Sequence, residues 1–278
     1  MAKEENKSAE QSKSGWKQFI YNPRSGEILG RTASSWALIL LFYLVFYGFL
    51  AGLFTLTMWV MLQTLDDAVP KYRDRVSSPG LMISPKSAGL EITFSKSDTS
   101  SYETYTKVLH SFLGPYNDSI QASNMQCPQG QYFDQEKGEK KSCRFDRSSL
   151  GPCAGLEGNE YFGYNEGNPC VIVKMNRIIG LKPLGNPRIN CTSKADDVNL
   201  QYYPEYGKID LMYYPYYGKK THLNYVQPLV AVKISPSNIT DTSEILIECK
   251  IYGSPNLKNE DERDKFLGRV NFRVQIKD

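Results

Sequence analysis

From Trp36 to Leu62 the chain reads WALILLFYLVFYGFLAGLFTLTMWVML, a run of 27 residues without a charge. As a helix rising about 1.5 Å per residue it would be roughly 40 Å long, more than the ~30 Å hydrocarbon core of a bilayer. Trp36 and Trp59 stand near its ends, where an interfacial aromatic belt places them. A cleaved signal peptide has an apolar region of only about 7–15 residues and a small-residue cleavage site. Here the run is longer, starts later and passes into Gln63-Thr64-Leu65-Asp66-Asp67. The segment reads as one permanent transmembrane helix. With a mean hydropathy of −0.44 over 278 residues, the chain as a whole is too polar for a polytopic transporter.

Orientation follows from what lies on each side. Lys17, Arg24 and Arg31 before the helix balance Lys71, Arg73 and Arg75 after it, so the positive-inside rule is undecided near the membrane. Lys3, Lys7 and Lys13 tilt the whole tail inward. All six Cys (Cys127, Cys143, Cys153, Cys170, Cys191 and Cys249) come after the helix. An even set on one side indicates a disulfide framework in an oxidising compartment. Three glycosylation sequons share that side, at Asn117, Asn190 and Asn238; a fourth, Asn6-Lys7-Ser8, would be idle in a cytoplasmic tail. The expected topology is N-terminus inside, C-terminus outside. The net charge of +3, without a basic block, gives a nucleic-acid partner no electrostatic support.

The expected organisation is a cytoplasmic tail over 1–35, the transmembrane helix over 36–62, an extracellular stalk over 63–87 and a disulfide-bonded domain over 88–278. Pro70, Pro79, Gly80 and Pro85 suggest the stalk. Beyond it, Leu90, Ile92 and Phe94 alternate with polar residues, as do Val270, Phe272, Val274 and Ile276, the pattern of strands with one buried face. Residues 170–175, 209–214, 229–234 and 245–251 are further candidate strands. Tyr102, Tyr105, Val108, Leu109 and Phe112 recur at helical spacing over 101–113, and Gly114-Pro115 ends that helix. The fold class is therefore a single transmembrane α-helix plus a mostly-β ectodomain, a β-sandwich with a covering helix. Six Cys allow fifteen pairings, and spacing does not choose among them. No C-x-x-C occurs and His110 and His222 are the only histidines, so a zinc cluster is not expected.

Catalytic signatures are missing. There is no G-x-x-x-x-G-K-[ST] loop, no G-x-S-x-G elbow and no D-x-D pair of the kind membrane-anchored glycosyltransferases use. No catalytic residue, metal or cofactor is assigned. The contact features are different in kind. Tyr43 and Tyr47 lie four apart on one face of the membrane helix, and a phenol in the span is costly without a partner. Gly48 and Gly52 form a G-x-x-x-G, taken as an adjacent face that permits close helix approach. Outside the membrane, Tyr213, Tyr214, Tyr216 and Tyr217 flank Pro215; four amphipathic rings suit a contact surface, and buried packing is the alternative.

Taken together, these segments resemble the beta subunit of the sodium/potassium-transporting ATPase. The resemblance is carried by Ile28-Leu29-Gly30-Arg31-Thr32, Phe46-Tyr47-Gly48, Ser78-Pro79-Gly80-Leu81, Gly167-Asn168-Pro169-Cys170, Lys174-Met175-Asn176-Arg177-Ile178-Ile179-Gly180, the tyrosine run to Lys219 and Asp264-Lys265-Phe266-Leu267-Gly268-Arg269. It extends from about Trp16 to the C-terminus. Among isoforms, residues 58–65 and 69–74 look most like beta-3. The resemblance implies a non-catalytic plasma-membrane subunit that the catalytic alpha subunit needs for folding and export, and that modulates potassium affinity and occlusion. It also implies an immunoglobulin-like sandwich, bridges Cys127–Cys143, Cys153–Cys170 and Cys191–Cys249, and Tyr43 and Tyr47 facing the alpha subunit. A small single-span regulatory subunit and membrane lipid are the further partners implied. Phe49 stands where some members carry a membrane Cys, so redox control through that position is not carried over. A proton/potassium pump beta subunit and an adhesion glycoprotein are the alternatives.

Overall fold

The computed structural model describes residues 20–22, 26–72, 78–136, 138–194, 197–237, 244–261 and 263–277. The chain divides between Leu65 and Asp66 into two compact units.

The first unit holds two short paired strands, β1 (Tyr21–Asn22) and β2 (Glu27–Ile28), and the helix α1 (Ala33–Gln63). Residue by residue, α1 is apolar on every side, and none of its residues is buried. It is the one helix among the described residues long and apolar enough to cross a membrane. The indole of Trp36 donates to the Ile28 carbonyl at 2.8 Å, tying the start of α1 to β2. The threonine hydroxyls of its second half and C-cap are satisfied by the helix itself. The hydroxyls of Thr55, Thr57 and Thr64 donate to the carbonyls of Ala51, Phe54 and Met61 at 2.7, 2.9 and 2.7 Å. In hydrocarbon no water replaces such bonds, so self-satisfaction is what allows threonine there.

The second unit is a two-sheet sandwich. Its strands are β3 (Leu81–Ser84), β4 (Glu91–Ser95), β5 (Cys170–Met175), β6 (Arg188–Ser193), β7 (Val198–Tyr203), β8 (Val230–Pro236), β9 (Glu244–Tyr252) and β10 (Arg269–Lys277). One sheet has the order β4-β10-β9-β6 and the other β3-β5-β8-β7. Pairing is antiparallel except between β10 and β4, where Val274 lies opposite Ile92. That parallel pair joins the two ends of the ectodomain sequence, so its connection is long enough for a parallel crossover. The alternation seen in the sequence of β10 is its core pattern, with Val270, Phe272, Val274 and Ile276 buried while their neighbours reach outward, and β9 buries Ile245, Ile247, Cys249 and Ile251 in the same way.

Helix α2 (Thr99–Leu113) packs against β3 and β4 through Tyr102, Thr106, Leu109 and Leu113. Asp98 caps its start by accepting from the Ser100 amide at 2.9 Å, which satisfies an amide that has no partner within the helix. Beneath it, Tyr164 is fully buried, its ring 4.8 Å from that of Phe94 and 6.0 Å from that of Tyr105.

Two segments depart from the sequence reading. Residues 81–84, assigned to the stalk on their flanking Pro and Gly, form β3, and Leu81 and Ile83 are in the core. Turn residues at a strand's ends mark its borders and do not exclude the strand between them. Residues 209–214 are not a strand. Asp210 accepts from the Met212 amide at 3.0 Å and starts a 3-10 turn over Leu211–Tyr213. An Asx cap there competes successfully with strand pairing.

Candidate functional site

On α1 the rings of Tyr43 and Tyr47 stack at 5.8 Å with an interplanar angle of 19°, beside a parallel stack of Phe42 and Phe46 at 5.9 Å. Side chains four apart in a helix lie one above the other, so the sequence spacing alone builds this ladder. Tyr43 is 47% exposed and Tyr47 60% exposed. Neither hydroxyl bonds to another described residue, in contrast to the threonines of the same helix. These are donors directed outward from a membrane span.

Gly48 and Gly52 are open as well: a Cβ built on either would meet nothing within 4 Å. They do not adjoin the tyrosines. At about 100° per residue, the centres of the two pairs are roughly 140° apart around the axis, so the glycine groove is almost opposite the phenol ladder. The two pairs therefore occupy nearly opposite faces of the helix, where the sequence reading placed them on adjacent ones.

The tyrosines of the second unit divide differently. Tyr213, Tyr214 and Tyr216 are 7%, 5% and 7% exposed, so their rings serve the core and are not presented to a partner. The contact-surface reading fails for these three because their neighbours in the fold already cover them. Tyr217 is half-buried; its hydroxyl accepts from the Gln135 amide at 2.7 Å, and the Lys140 ammonium lies 4.7 Å from its ring centre. Next to them sits buried His222, 4.8 Å from the ring of Tyr225. Its Nδ1 accepts from the Tyr217 amide at 3.4 Å, so the ring donates through Nε2 to the Lys141 carbonyl at 3.0 Å. Burial lowers the pKa of His222 and raises those of Tyr213, Tyr214 and Tyr225, because each charged form would be desolvated. His110, on α2, is exposed and is held by the Glu160 carbonyl at 2.9 Å.

The bridges are Cys127–Cys143, Cys153–Cys170 and Cys191–Cys249. The first two close loops of 16 and 17 residues in sequence separation. The third joins Cys191 on β6 to Cys249 directly opposite on β9, with Cα atoms 3.9 Å apart. It therefore ties neighbouring strands of one sheet, whereas the bridge of an antibody domain pins two sheets together.

Of the sequon asparagines, Asn117 is exposed in a turn, its side-chain oxygen accepting from the Arg147 guanidinium. Asn190 lies on β6, accepts from the Tyr202 hydroxyl at 3.1 Å and adjoins the bridged Cys191. Asn238 falls outside the described residues. Among the described residues no group of three or more His, Cys, Asp and Glu gathers as a metal-binding set.

Comparison with known proteins completes the picture. The family model described as sodium/potassium ATPase beta chain matches residues 6–272. The chain is 48% identical to sodium/potassium-transporting ATPase subunit beta-2 of Homo sapiens, over 98% of this chain and 97% of that one. It is 42% identical to subunit beta-2 of Rhinella marina, over 97% of each. It is 44% identical to Protein ATP1B4 of Xenopus laevis, over 97% of this chain and 90% of the relative.

Proposed function

This chain belongs to the sodium/potassium ATPase beta chain family, whose members are non-catalytic pump subunits, and from that premise we propose that it assembles with the catalytic alpha subunit of the sodium pump. In this role it supports folding, export and plasma-membrane delivery of that subunit and modulates potassium affinity and occlusion. The observation that carries the reading is the pair of phenols, Tyr43 and Tyr47, without a partner among the described residues, on a helix with no buried residue. A polar group directed into hydrocarbon calls for a helix partner that can accept its hydrogen bond. The placement of all six Cys after α1 supports a tail inside the cell and an ectodomain outside it. Residues 58–65 and 69–74 support the beta-3 isoform. The glycine groove at Gly48 and Gly52, opposite the phenols, leaves room for lipid or a small single-span subunit.

Affinity purification of the full-length chain in mild detergent tests this. The expected result is an equimolar P-type ATPase with sodium- and potassium-stimulated ATP hydrolysis. Recovery of a proton-transporting pump would reassign the partner, and recovery of the well-folded glycoprotein alone would refute the subunit reading.

A further inference from the structure

We propose that Lys174 and Arg177 form a docking point on the ectodomain for an acidic side chain of the catalytic pump subunit, an inference that rests on the subunit reading above. Lys174 is the one residue of β5 that is not buried. It projects from the outer side of the sheet opposite Met82, and its ammonium lies 4.9 Å from the ring centre of Phe112, near the end of α2. Arg177 follows two residues after the strand, its guanidinium carbon 5.3 Å from the ring centre of Tyr216. Each cation is thus seated on an aromatic face, and the two are close enough to repel. Burial first, and Arg177 second, hold the lysine pKa below its ordinary value.

Among the described residues the pair has no counter-charge. Neither side chain makes an ion pair or a hydrogen bond among the described residues. The fold supplies such partners elsewhere for the same arrangement. Lys182 lies 5.5 Å from the ring centre of Tyr132 and also pairs with Asp134 at 2.7 Å. Lys140 lies over Tyr217 and donates to the Gln135 carbonyl at 2.8 Å. A ring face offsets only part of the cost of desolvating a cation, so two adjacent ring-seated cations without an acid are an incomplete site. The guanidinium fork of Arg177 matches a carboxylate through two parallel bonds, with the lysine as a second donor.

Position favours the pump subunit as the source of that carboxylate. The segment from Arg177 to Gly180 lies beside the tyrosine run, the Gly180 amide donating to the Tyr216 carbonyl at 2.7 Å. The next turn is tight: a Cβ on Gly218 would stand 3.0 Å from the carbonyl oxygen of Ala68. Ala68 is five residues past Gln63, the last residue of α1, so only a short stretch of chain separates this turn from the end of the span in sequence. A partner spanning the same membrane presents its extracellular loops there. The depth of the site separates the two anion sources. Arg177 is exposed and Lys174 half-buried, so an anion shared by both has to enter beside the two rings, as a side chain on a protruding loop does.

The test uses the full-length chain co-expressed with the catalytic subunit and purified in mild detergent. A water-soluble carbodiimide activates a carboxylate, and an amine in contact with it displaces the activator as urea to form an amide, with net loss of one water. The expected product is a peptide pair joining Lys174 to an Asp or Glu of the catalytic subunit. Arg177→Glu should lower its yield at least tenfold, Arg177→Lys should retain most of it, and the link should vanish in Lys174→Arg. An unchanged thermal melt of Arg177→Glu separates loss of docking from misfolding. An intact equimolar complex in which Lys174 stays unlinked, or links only within its own chain, overturns the proposal. So does loss of binding to phosphatidic-acid vesicles in Arg177→Glu without any link to the catalytic subunit, which would assign the site to lipid. Failure of the wild-type chain to co-purify with the pump would refute the subunit reading itself, and the docking point with it.

Discussion

The transmembrane helix and the ectodomain deal with polar groups in opposite ways. In α1 no residue is buried; the threonines bond to their own helix while the two phenols of Tyr43 and Tyr47 bond to no other described residue. In the ectodomain, buried polar side chains are closed internally. Gln121 makes three bonds, donating to the carbonyls of Tyr116 and Phe145 and accepting from the Phe145 amide at 2.8–2.9 Å. Tyr116 donates to the Gln227 carbonyl, and His222 uses both ring nitrogens. These buried side chains are closed within their own unit, whereas the phenols of α1 are left open.

If the ectodomain is self-sufficient, its stability should depend on its core and not on the pump. Phe272→Ala, removing a ring buried between the sheets, should cost about 3–5 kcal/mol. A thermal melt of the full-length protein checks this, and an unchanged melting temperature would contradict the core assignment. Tyr43→Leu with Tyr47→Leu should do the reverse. The ectodomain melt stays constant, while the co-purified catalytic subunit falls about tenfold, equivalent to roughly 1.4 kcal/mol of association. Equal recovery from the double variant would remove the phenols from the interface.

Acid should loosen the ectodomain through His222. Its folded pKa lies below the ordinary value of 6.5, because burial disfavours the cation. At and above neutral pH both states are neutral and its contribution is complete. As pH falls through 6.5 the unfolded chain takes up a proton that the folded one resists, and stability is lost. Melts at pH 7.5 and 5.0 should show a drop that His222→Gln reduces; parallel curves for the two proteins would exclude His222 as the source. Tyr164 is the exception within the self-satisfied unit, since its buried hydroxyl has no partner. Tyr164→Phe should therefore leave stability unchanged or slightly raised, by up to about 1 kcal/mol, and a clear loss would reveal a partner for that hydroxyl. The smallest effect belongs to the surface. Breaking the exposed Glu103–Lys107 pair on α2 with Lys107→Ala should cost no more than about 0.5 kcal/mol.

Much of the architecture was legible along the chain because its signals are local. An uncharged run of 27 residues has one physical outcome, a helix that water cannot accommodate. Period-two alternation placed β10, residues 245–251 were a further candidate strand that became β9, and helical spacing placed α2, each within one or two residues of its observed ends. Tyr43 and Tyr47 share a face because residues four apart in a helix must. What remained hidden depends on neighbours distant in sequence. β6 and β7 are weakly patterned edge strands that pairing with β9 and β8 defines. The parallel register of β4 on β10 joins residues some 180 positions apart. The fate of the tyrosine run was undecidable from composition, because amphipathic rings suit a surface and a core equally well; only packing put Tyr213, Tyr214 and Tyr216 inside. The pairing of Lys174 with Arg177 shows the same division. The sequence determines that two cations stand three residues apart, whereas the tertiary structure decides that each rests on a distant aromatic ring and that no described carboxylate pairs with either.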